Sequence, residues 1–235
     1  MFTNVKCESV IHRRHFLMLT GITFAIASIL SAPRTASAID DHSPAVVNVT
    51  AKQESRNAKT LQTAAALRDL WVGHIFWVRS VSVAAIENNA AAMKVSEQQA
   101  VANAQSLAGP LEPFYGPAAK DAFFKLLAGH YGAVKAYLVA TVDGNAGAQA
   151  TATQSLTSNA EEIAVFLNKA NPHLPKDAVN GLLLAHGGHH IQQIQELKAR
   201  NYASEAKTWE NMKIHVYQIA DATADALAEQ FPKKF

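Results

Sequence analysis

Three short, evenly spaced stretches constrain this chain more than anything else in it. They are Leu70-Trp71-Val72-Gly73-His74, Leu126-Leu127-Ala128-Gly129-His130 and Leu182-Leu183-Leu184-Ala185-His186, and the interval from the first to the second equals that from the second to the third. The echo extends beyond the histidines. Asn89, Asn145 and Asn201 follow His74, His130 and His186 at one constant distance, and Lys120-Asp121-Ala122 and Lys176-Asp177-Ala178 precede His130 and His186 at another. A period of this length has room for two helices and a turn. The spacing therefore predicts one αα-hairpin used three times.

The rest of the sequence agrees with that unit. From about residue 60 the chain is rich in Ala, Leu, Gln, Glu and Lys, all good helix formers. No β-branched run alternates with polar residues between turn signals, so the predicted class is all-α. Helix-stopping clusters fall at Asn88-Asn89, from Gly109-Pro110 to Gly116-Pro117, at Asp143-Gly144-Asn145, from Asn171-Pro172 to Pro175, and at Arg200-Asn201. They leave six segments, near residues 60–87, 94–108, 118–142, 147–169, 176–199 and 203–230. The expected architecture is a helical bundle of about six helices, made of three hairpins and spanning residues 58–235.

Helical geometry then places side chains. Both helices of a hairpin rise by the same amount per residue, about 1.5 Å, so residues equally far from the turn lie at one height. Counting back from each turn asparagine reaches His74, His130 and His186; counting forward reaches Asn103, Asn159 and His215. All six are polar in otherwise apolar surroundings and fall in one layer. His186 and His190 are four apart, one turn apart on one helical face. Imidazoles converging from several helices suit a metal. The candidate ligands are His186 and His190, completed by His74, His130 or His215. An all-nitrogen set favours zinc or copper. Asn103, Asn159, His189 and Arg79 would surround them. A second reading is equally open: a buried His/Asn network that fixes helix register and binds no metal. Arg79 and Lys135 share a repeat position five past the histidine, where each either meets an anionic ligand or pairs with a carboxylate. Gly187-Gly188 is unfavourable inside a helix by about 1 kcal/mol per glycine. Close helix approach, room for a ligand, or a kink would account for it.

Residues 1–38 read as a leader rather than fold. Arg13-Arg14 precedes an apolar run over residues 16–30, and Ala36-Ser37-Ala38 supplies a small-x-small cleavage site. The pattern resembles a twin-arginine export signal, although His12 and Met18 depart from its usual form and leave a Sec route open. The run is short for a membrane span, which needs about 20 apolar residues. An uncleaved anchor is the alternative. Residues 39–57 are expected to be a polar, flexible lead-in. Cleavage after Ala38 would remove four of 21 basic and one of 19 acidic residues, leaving 17 and 18. No basic footprint for nucleic acid remains. Cys7, the one cysteine, leaves with the leader, so neither a disulfide nor a thiolate ligand is expected. The expected location is periplasmic or otherwise extracytoplasmic, with no stable membrane insertion after cleavage.

No Gly-x-Ser-x-Gly, phosphate-binding loop, dinucleotide fingerprint or His-Glu-x-x-His occurs. The Glu-x-x-His pairs of di-iron bundles are missing as well. The sequence leans away from an enzyme.

Several blocks carry a family resemblance. The opening Leu70-Trp71-x-x-His74-x-x-Trp77-x-Arg79 is similar to the Leu-Trp-x-x-His-x-x-Trp-Thr-Arg start of a family of bacterial helical proteins, with Val78 in place of the usual Thr. Pro113-Phe114-Tyr115-Gly116, the run from Ser158 through Leu167, Asn171-Pro172 and Gln230-Phe231-Pro232 also resemble that family. The resemblance implies a helical fold over residues 67–235. It implies no settled activity; members carry inconsistent names, including kinase and glycosyltransferase, that nothing in this sequence supports. The expectation from sequence is thus an exported helical protein binding zinc or copper through histidines. The alternative is a helical module for an unknown small ligand or protein partner, with the His/Asn layer as structural glue.

Overall fold

The computed structural model describes residues 56–235, and the leader and most of the lead-in lie outside them. Six long helices account for nearly all of the described chain: α1 Ala58–Ile86, α2 Ala90–Ala108, α4 Pro117–Val142, α5 Ala146–Ala170, α6 Lys176–Lys198 and α7 Tyr202–Gln230. Among the described residues there is no strand. No described helix is long and apolar enough to cross a membrane. Two features differ from expectation. Helix α2 starts at Ala90 rather than near 94, because Asn89 caps it directly. The proline-rich breaker after α2 is itself ordered, as a 3-10 turn Gly109–Leu111 and a short helix α3 Glu112–Tyr115, both with proline in the first turn, where its missing N–H is harmless.

The three hairpin turns are built alike. The side chains of Asn89, Asn145 and Asn201 accept hydrogen bonds from the backbone N–H of Ala92, Ala148 and Ser204 at 3.0, 3.0 and 3.3 Å. Each satisfies a donor that the first turn of the return helix leaves unpaired. The backbone N–H groups of the same asparagines donate to Ala84, Ala140 and Glu196 carbonyls at 2.8, 2.8 and 2.9 Å, closing the preceding helix. The residue before each asparagine is left-handed: Asn88 at φ 53°, Gly144 at φ 69° and Arg200 at φ 56°. Asparagine and glycine suit that conformation; arginine is strained by it.

The hairpins close into a ring. The first helices, α1, α4 and α6, all contact one another at the centre. Each return helix packs on its own partner and on the first helix of the next hairpin, and α7 closes the ring against α1. Repeat-equivalent residues therefore meet in layers along the axis. Leu67, Phe123 and Val179 form one layer and Trp71, Leu127 and Leu183 the next, all buried. These six line an apolar cavity of about 50 Å³ at one end of the core. The three histidines come next, followed by Val78 and Val134 with His190. The α1–α7 seam is clamped by ion pairs. Arg56 Nε meets Asp225 at 2.6 Å, and the Arg68 guanidinium meets both Asp221 oxygens at 2.7 and 2.5 Å.

Candidate metal centre

Each hairpin ties its two helices together beside the histidine. Asn103 Nδ2 donates to the Leu70 carbonyl at 3.0 Å, and Asn159 Nδ2 to the Leu126 carbonyl at 3.0 Å. His215 Nε2 makes the third of these bonds, to the Leu182 carbonyl at 2.8 Å. The approach is close enough to require small residues opposite. A Cβ on Gly73 would lie 2.9 Å from Asn103 Nδ2, and one on Gly129 would lie 3.2 Å from Asn159 Nδ2. In the third hairpin both residues of the pair change together, to Ala185 and His215. The layer inferred by counting heights is therefore present, but half of it holds the hairpins closed rather than facing the axis.

Four imidazoles do face the axis. His74, His130, His186 and His190 are 6, 4, 1 and 1 % exposed. Each offers a ring nitrogen, and these four atoms all lie within 4.8 Å of one another. The six ring-to-ring centroid distances run from 4.5 Å, for His186–His190, to 6.2 Å, for His74–His130. His186 Nε2 and His190 Nε2 lie 3.1 Å apart and share a hydrogen bond. Trp71 stands edge-on to His74 and His186 at 5.6 and 5.4 Å between centroids, separating the imidazoles from the apolar cavity.

Burial decides the charge state of the cluster. It pushes the His74 imidazole down to about 3, with His130 adding to the effect. It takes His130 down to about 4, and the neighbouring Asn159 side chain opposes the shift. His186 and His190 are held well below the ordinary value, by burial first and by the other imidazoles second. All four are neutral at pH 7, so each ring carries one lone pair and one N–H. Half of the eight ring nitrogens lack a partner. His74 Nε2, His130 Nδ1, His130 Nε2 and His186 Nδ1 are buried without a hydrogen-bond partner, as are Asn103 Oδ1 and Asn159 Oδ1 beside them.

The remaining candidates fall elsewhere. His215, expected as a possible ligand, lies outside the converging group, because its Nε2 is engaged with Leu182. His189, one helical step away from the axis, is partly exposed, with its ring 5.4 Å from that of His215. Arg79 does not face an anionic ligand; it pairs with Glu205 at 2.6 and 2.9 Å, and Lys135 pairs with Glu97. The Glu205 carboxylate is 4 % exposed and also accepts from Gln193 Nε2 at 2.9 Å. This buried network, one turn beyond His190, has no local sequence signature. Close helix approach is what Gly187 supplies, since a Cβ there would lie 2.8 Å from Leu156 Cδ2. At Gly188 a Cβ would meet nothing within 4 Å. His173 is an exposed partner of Glu229, and His42 lies outside the described residues.

Three of the blocks that suggested a bacterial family, Pro113-Phe114-Tyr115-Gly116, Asn171-Pro172 and Gln230-Phe231-Pro232, meet at one end of the bundle. Phe114 and Tyr115 pack against Phe231 at 5.1 and 5.4 Å, the Tyr115 hydroxyl donates to Gln230 Oε1 at 2.6 Å, and Asn171 Nδ2 donates to the Ala226 carbonyl at 2.9 Å. These three blocks close the fold, whereas the opening block supplies His74 and Trp71 to the imidazole cluster and the run from Ser158 supplies Asn159 beside His130. In comparisons with known proteins, no family model, curated protein or solved structure matches this chain.

Proposed function

We propose that this protein is an exported metal-binding protein that holds one zinc or copper ion through His74, His130, His186 and His190. The observation that carries the reading is the convergence of four buried, neutral imidazoles with so many of their nitrogens unpartnered. A buried polar atom without a partner costs about 1–3 kcal/mol, so several in one place call for a partner of another kind. A lone pair aimed at a cation is such a partner. Two nitrogens on one zinc ion, at bonds of about 2.0–2.1 Å, stand about 3.3 Å apart in a tetrahedron. The 3.1 Å between His186 and His190 Nε2 agrees with that, and the spread of 4.8 Å needs only small ring movements. The unpartnered oxygen of Asn159 lies beside His130 and is placed to accept its outer N–H, the usual support for a ligating histidine. When bound, the ion would supply four coordinate bonds joining all three hairpins. Four protein ligands leave no open position, which favours a structural, storage or delivery role over hydrolysis.

Elemental analysis of protein purified from the periplasm tests this. One ion per chain is expected in the native protein, and much less in a His186→Ala/His190→Ala variant. Sub-stoichiometric metal in the native protein would sink the proposal. The apolar cavity favours a second reading, a module for a small uncharged ligand with the imidazoles as internal glue. A thermal melt separates the two, because a chelator lowers the melting temperature only if a metal is bound.

A further inference from the structure

Three histidines near His186 break the repeat; two of them contact His186 and the third contacts one of those two. His190 replaces Val78 and Val134, His215 replaces Asn103 and Asn159, and His189 replaces Trp77 and Ala133. The first belongs to the buried cluster. The other two do not, yet they continue it outward. The His215 ring stacks on His186 at 6.3 Å and 14°, and the His189 ring lies 5.4 Å from His215. The result is an unbroken row of imidazoles from the partly exposed His189 to the fully buried His190, whose last step, His186 to His190, is 4.5 Å. An ion entering along the bundle axis meets no such row of imidazoles. Along the axis on one side it would meet Trp71, Leu127, Leu183 and an apolar cavity; on the other it would meet Val78, Val134 and then the Arg79–Glu205 pair.

The tie to Leu182 does not need an imidazole, because asparagine makes the same bond in the other two hairpins. A histidine there adds a second nitrogen. With Nε2 donating to the carbonyl, the proton sits on Nε2 and Nδ1 keeps a lone pair. We propose that His189 and His215 form a loading site that takes a divalent metal ion from solvent and passes it through His186 to the buried centre. This rests on the four-histidine centre proposed above.

Cobalt(II) tests it, because its visible absorption reports four-nitrogen coordination directly. Metal-stripped full-length protein is mixed with one equivalent of cobalt(II), and the absorption is followed in time for the native chain, His189→Ala, and His189→Ala/His215→Asn. The asparagine keeps the hairpin tie, and His189→Ala alone changes only a partly exposed position, so folding is preserved in at least one variant. Both variants are expected to end at one cobalt per chain with the native spectrum. Loading should slow by about tenfold in the double variant and by less in the single one, as the local supply of ion at the mouth is lost. Native rates in both variants would overturn the loading site and leave the buried centre standing. A changed final spectrum or stoichiometry would also overturn it, since the pair would then belong to the resident site. Failure of the native chain to bind cobalt(II) would remove the centre itself, and the loading site with it.

Discussion

Mild acid should destabilise the metal-free protein, and the size of the effect follows from the imidazole cluster. An exposed histidine titrates near 6.5. In the folded chain His74 is lowered to about 3 and His130 to about 4, and His186 and His190 are also held well below 6.5. Each folded imidazole therefore stays neutral while its unfolded counterpart takes up a proton. Their contribution to stability is complete above pH 6.5 and is lost as the pH falls from there toward 4. Between pH 7.5 and 5.5 each such group removes about 1.4 kcal/mol, so four remove about 5 kcal/mol. That compares with a total stability of about 5–15 kcal/mol for an ordinary domain. Urea unfolding with a chelator present, at pH 7.5, 6.5 and 5.5, reads the loss directly. His130→Leu removes one of the four protonations and should reduce it by about a quarter. A decline of less than about 1 kcal/mol over the range would mean that the four rings bind protons in the native state, and the neutral buried cluster would be wrong.

Three further outcomes are expected from urea unfolding near neutral pH. Gly187→Ala should destabilise by about 1–3 kcal/mol, since the new methyl meets Leu156 at 2.8 Å, whereas Gly188→Ala, with open space, should stabilise by up to about 1 kcal/mol. Asn103→Ala and Asn159→Ala each lose one tie and should cost about 1–2 kcal/mol, adding to within about 0.5 kcal/mol in the double variant because they sit in separate hairpins. Arg200→Gly relieves a left-handed residue and should stabilise by about 1 kcal/mol; a loss would mean that the arginine side chain has a role its backbone does not reveal.

Much of the fold was legible because three turns carry an asparagine in the same role. The asparagine that caps each return helix also marks the end of its predecessor, so hairpin boundaries followed from Asn89, Asn145 and Asn201. The level of the polar layer followed from helical rise. Rotation about each helix did not, and this is why His215 looked like a ligand. Height alone cannot separate a side chain aimed at the axis from one aimed at the neighbouring backbone. The missing signal was in the repeat itself, since His215 occupies the asparagine position and inherits its bond to a leucine carbonyl. The Arg79–Glu205–Gln193 network was hidden for another reason. Its members come from three helices, and only ring closure brings α1 beside the α6–α7 hairpin. Closure also explains the cavity, whose six axial lining residues read singly as ordinary core.

Joining the last helix to the first makes the order of the hairpins immaterial to the interior. Arg56 and Arg68, at the start of the described chain, already grip Asp225 and Asp221 near its finish, so head and tail are neighbours in space. A circular permutant linked there and opened at Asp143-Gly144 would present the same layers in the same sequence around the centre. Such a molecule has no privileged beginning, and its three units are better pictured as staves of a cask than as links of a chain.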